Sequence, residues 1–150
     1  DKDAADFVVR MEALAAERPA GDAIALFERA AANDSTARPH YAVPLYRQAL
    51  AAGLTGERRR RAVIQLASSL RNLDQAAEAV TLLTAERDRP SDNLDDAVAA
   101  FLALALVDVG REREAVAMTL AALAHHLPRY NRSLTNYAKA IKPKADAPQK

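Results

Sequence analysis

Three Ala-Val pairs, Ala42-Val43, Ala79-Val80 and Ala115-Val116, stand 37 and 36 residues apart along the chain. Twelve residues before each pair lies a further alanine, Ala30, Ala67 and Ala103. A recurrence at this period means that each unit is a small element unable to bury its apolar face alone, so the units must stack into an open array. Matched small residues let helix backbones approach closely, and larger side chains between them, such as Leu66, Leu70, Leu102 and Leu106, fill the seams. Seven residues beyond the first alanine of each pair, the pattern holds at Ala49 and Ala122 and breaks at Glu86.

The units are helical. Thirty-six of the 150 residues are alanine, the best helix former, against four glycines. Apolar spacing and breakers predict eight helices in an all-α chain forming one domain over 1–141. A first helix over 3–18 carries Phe7, Val8, Met11 and Leu14, and Pro19 with Gly21 stops it. Helix pairs follow over about 23–54, 57–90 and 93–128, and a closing helix over 129–141 is expected to shield the last pair. Pro44 deletes a backbone donor, which predicts that the third helix starts late or bends. The sixth helix is apolar nearly all round, the pattern of a central helix covered on several sides. Residues 142–150, KPKADAPQK, hold two prolines and no large apolar side chain and read as a flexible tail.

Several chemistries find no foothold. The formal charge of +1 gives no single-sign field to draw in nucleic acid or anionic lipid. Without cysteine there are no thiolate ligands, and the adjacent His125 and His126 point about 100° apart on a helix, so neither a metal nor another cofactor is expected. Four scattered glycines make no phosphate loop, and Ser68, Ser69 and Ser133 sit in no nucleophile elbow, so the chain does not read as an enzyme. Neither a signal core nor an apolar run of about 20 residues is present, which predicts a soluble cytoplasmic protein without a membrane span. Asp92, Asp95 and Asp96 read as the cap of the sixth helix. Glu112 and Glu114 sit at an exposed helix start, where their acidity has little reason to shift. Arg58 to Arg61 read as a solvated face, with a phosphate contact as the lesser reading.

The phrases AVPLYRQALAAGL, RRRRAVIQLASSLRNL and FLALALVDVGREREAV, with their spacing and small-residue positions, resemble the tetratricopeptide repeat. Up to about residue 141 the chain is similar to small bacterial proteins of that kind. It departs from the motif at the turn glycine, present as Gly110 but replaced by Asp74 and Ala37, and at polar Arg29 and Asn33. The resemblance implies a right-handed superhelix whose first helix in each unit lines a concave groove for a peptide or helix of another protein. By register the groove receives Arg61, Gln65, Ser68, Arg71 and Asn72 from the second unit, and Phe101, Leu104 and Asp108 from the third. There Arg71 would clamp a carboxylate, Gln65 and Asn72 would pair with amides, and Phe101 with Leu104 would hold an apolar side chain. The bland alternative is that the polar residues only solvate their helix while Phe101 and Leu104 are core. Two other readings are self-association through the sixth helix or through Tyr130 and Tyr137 of the eighth, and a regulatory subunit touching nucleic acid through Arg58 to Arg61.

Overall fold

A computed structural model describes residues 2–90 and 92–141, so the expected tail lies outside the described residues. Among them are eight helices and no strand: α1 (Lys2–Ala16), α2 (Ala23–Ser35), α3 (Pro39–Ala51), α4 (Gly56–Arg71), α5 (Ala76–Arg87), α6 (Asp95–Asp108), α7 (Glu112–His126) and α8 (Asn131–Ala140). Each helix packs on the next, and α4 also touches both α2 and α6. The even-numbered helices α2, α4 and α6 thus form one layer, with α3, α5 and α7 behind them.

The repeat of small residues is the seam of this stack. Ala30, Ala42, Ala67 and Ala79 are fully buried, and Ala103 and Ala115 nearly so. Around them Phe27, Tyr46, Leu66, Leu70, Leu83, Val98, Leu102 and Leu106 close a continuous core.

The two departures from the turn glycine leave the backbone unchanged. Ala37, Asp74 and Gly110 all adopt left-handed conformations, with φ of 57°, 60° and 76°. At each turn the next residue's N–H reaches back to a carbonyl five residues earlier: Arg38 to Asn33, Gln75 to Leu70 and Arg111 to Leu106, at 2.9, 2.9 and 2.8 Å. This is the Schellman closure that normally selects glycine. It is repeated here with alanine and aspartate accepting the strain of positive φ.

Three expectations change. The third helix starts at Pro39 and runs through Pro44 without a late start. His40, whose carbonyl loses its helical donor at Pro44, is one turn earlier on the same exposed side. The sixth helix is not covered all round, because Leu104 and Val107 are each 47 % exposed. The closing helix packs on α7 but does not touch α6, so it shields only one helix of the last pair. Its start is fixed by Asn131, whose side-chain amide donates to the carbonyls of Ala124 and Leu127 at 2.7 and 2.6 Å. At the other end α1 meets a polar residue of the first unit, Glu12 pairing with Arg29 at 2.6 Å, while buried Asn33 donates within α2 to the Arg29 carbonyl.

Candidate functional site

Successive residues on an α-helix point about 100° apart, so four in a row look in four directions. That rule separates the run from Arg58 to Arg61. Arg58 faces back to α2 and donates to Glu28 at 3.3 Å. Arg59 faces α5 and donates to both carboxylate oxygens of Glu86 at 2.8 Å. Arg60 faces forward, donating to the Pro90 carbonyl at 3.0 Å and to Asp95 at 2.5 Å, with Asp92 at 3.3 Å. Arg61 remains at the exposed face, its guanidinium 5.5 Å from the centre of the Phe27 ring. The run is therefore neither a solvated face nor a joint basic patch. It clips α4 to three neighbours, and Arg60 is only 4 % exposed.

The same contacts explain two other sequence features. Glu86 breaks the small-residue pattern because its carboxylate, 2 % exposed, is the buried partner of Arg59. Asp95 and Asp92 do more than begin a helix: α6 has no side-chain cap bond, Asp95 is spent on Arg60, and Asp96 lies 2.7 Å from His126. Between the first two units Asp34 accepts from buried Ser69 at 2.7 Å and from the Tyr46 hydroxyl at 3.3 Å. Burial, reinforced by the Asp34 charge, pushes the Tyr46 phenol well above its ordinary range, so it stays a neutral donor. Glu114 also departs from expectation. A two-point pairing with Arg111 at 2.8 and 2.7 Å draws its carboxyl below the ordinary value.

With Arg58, Arg59 and Arg60 assigned to neighbours, the remaining direction of α4 is the stripe Arg61, Gln65, Ser68 and Asn72, at steps of four, three and four residues. Shifting by 36 gives Ala97, Phe101, Leu104 and Asp108 on α6. All eight are partly or fully exposed, so Phe101 and Leu104 are not closed core. Shifting back by 37 gives Ile24, Glu28, Ala31 and Ser35 on α2, four positions that the sequence reading did not include although the repeat register points to them. The floor therefore changes character along the stack, from mixed on α2 to polar on α4 and to largely apolar on α6.

Arg71 stands apart from this stripe. It lies on the forward side of α4, where its Nε donates to Asp108 at 2.5 Å. Arg71, Asn72 and Asp108 line an open depression with Asp74 and Ala76 at the α4–α5 turn. A carboxylate arriving at Arg71 would compete with Asp108. Gln65 presents a different chemistry: its Oε1 is buried and accepts no hydrogen bond among the described residues. A buried acceptor without a donor costs about 1–3 kcal/mol.

A family model described as tetratrico peptide repeat matches residues 23–141, which spans α2 to α8. No curated relative and no solved structure matches the chain. None of the described helices is long and apolar enough to cross a membrane. The stacked pairs, the repeated left-handed turns and the family match agree, and the chain belongs to the tetratrico peptide repeat family.

Proposed function

We propose that the chain is a non-catalytic interaction module that receives a peptide or helix of a partner protein along the exposed stripes of α2, α4 and α6. Membership in the repeat family supports a protein partner. The observation that carries the reading is the unpaired Gln65 Oε1 at the middle of the polar stripe, next to the half-buried Phe101 and exposed Leu104 at the equivalent places of the next unit. Turning the Gln65 side chain toward the stripe would let a peptide N–H supply the donor that its buried Oε1 lacks, and an apolar side chain of the same peptide covers Leu104, so one ligand satisfies both. Arg61 at the other side adds a single positive charge. Arg71 then acts as a rim residue shared with Asp108 and not as the main clamp.

Selection from a random peptide display library against the intact chain tests this reading. Selected peptides are expected to lose affinity at least about tenfold on Leu104→Glu and on Gln65→Leu, the latter keeping side-chain volume while removing the acceptor. Peptides that bind both variants as well as the parent protein would place the binding surface elsewhere.

A further inference from the structure

Among the described residues, the repeat register exposes an unfilled place in the stack. The side of each even-numbered helix that faces the next unit carries Ala23, Phe27, Ala30 and Asp34 on α2, then Arg60, Ile64, Ala67 and Arg71 on α4. Phe27 and Ala30 are fully buried beneath α4, and Arg60, Ile64 and Ala67 are buried beneath α6. The equivalent stripe of α6 is Asp96, Ala100, Ala103 and Val107. Here Ala100 and Asp96 are exposed and Val107 is 47 % exposed, with Leu104 beside it equally open. The helix that follows in sequence, α8, leans on α7 and leaves α6 uncovered. It buries Ala138 and turns Tyr130 and Tyr137 outward, 76 % and 70 % exposed.

We infer that the vacant side of α6 is filled by the outward aromatic flank of α8 from a second copy of this chain, in a two-fold dimer. Continuity and charge both favour that occupant. The slot continues an interface already built twice in the same molecule, so a helix fits it. One end of it is acidic, Asp96, whose side chain stays 57 % exposed beside His126. The α8 helix carries Arg132 and Lys139 and no acidic residue, with Arg129 just before it. Slot and flank lie at the same end of the stack, joined through α7. A two-fold dimer that seats each flank in the other copy's slot makes the same contact twice. Tyrosines suit the role, since they supply a large apolar body with few rotors to immobilise. The slot adjoins the stripe proposed for the peptide at Leu104, whereas Ala100 and Val107 belong to the slot alone.

The test uses sedimentation equilibrium of the whole chain. Wild type is expected to dimerise in the micromolar range, and Val107→Glu in the slot and Tyr137→Glu on the flank are each expected to weaken the dimer at least about tenfold. Both positions are exposed, and circular dichroism checks that the helices persist. Should glutamate at 107 disturb folding, Ala100→Glu places the same charge on another exposed position of the slot. The deciding measurement is a mixture of the two variants. A Tyr137→Glu slot still accepts a Val107→Glu flank, so the mixture regains one intact contact that neither variant has alone and associates more tightly than either. A monomer at every concentration, a dimer indifferent to both variants, or a mixture no tighter than its components would each overturn the inference.

Discussion

Truncating Arg59 to alanine is expected to destabilise the fold by about 3 kcal/mol, and adding Glu86→Ala is expected to restore most of that loss. Both Glu86 oxygens accept from Arg59 Nη1 at 2.8 Å, and the Glu86 side chain is 3 % exposed against 27 % for Arg59. Removing the arginine strands a carboxylate whose next cation is Arg60, with its Nε 4.0 Å away and its Nη1 and Nη2 held by Pro90 and Asp95. Breaking a buried pair from one side costs about 3–5 kcal/mol, and the retained Arg60 together with water entering where Arg59 was places this case at the lower edge. Glu86→Ala alone leaves only a partly exposed arginine free to swing to solvent, and alanine already fills the equivalent places 49 and 122. It is expected to cost about 1 kcal/mol, and so is the double variant. The pair should therefore couple by about 3 kcal/mol, with the double variant more stable than Arg59→Ala. Urea unfolding followed by circular dichroism measures this as midpoint shifts at constant slope. Additivity within about 0.5 kcal/mol would refute the claim that burial of Glu86 sets the cost.

The turns and the second helix's cap give two further expectations. Ala37→Gly should stabilise by about 0.5–1 kcal/mol, Asp74→Gly by less because aspartate tolerates positive φ, and Gly110→Ala should destabilise by about 1 kcal/mol. Thermal melts check the opposite signs, and a common sign at 37 and 110 would argue against a shared turn geometry. Asp22 caps α2 by accepting from the Ala25 N–H at 2.8 Å, and its pairing with Arg18, followed by that backbone bond, lowers its pKa below the ordinary 3.8. Its ionic contribution is thus complete above pH 3.8 and is lost as pH falls through the lower folded-state value. Asp22→Asn keeps an acceptor without the charge. The stability gap to wild type should be widest near neutrality and close in acid, and a gap that persists in acid would count against the assignment.

Much of the architecture is written locally. Alanine content, the 3.6-residue spacing and the breakers at Pro19, Gly53, Pro90 and Gly110 dictate helices, because helix propensity and chain reversal depend on near neighbours. The recurrence of small residues dictates stacking, since a backbone can approach only where side chains permit it. The exposed stripe on α4 and α6 was legible for the same reason: register alone fixes which residues share a face. What a linear reading misassigned were the charges. Arg60, Glu86 and Asp95 look solvated in sequence, yet they meet across 26 to 35 positions of separation, and only stacking decides which of four consecutive arginines is buried. The same holds for α8. Its amphipathic stripe is plain in the sequence, but that it rests on α7 and leaves α6 open depends on the angle at which Tyr130 and Asn131 turn the chain, a long-range packing outcome that no local pattern encodes.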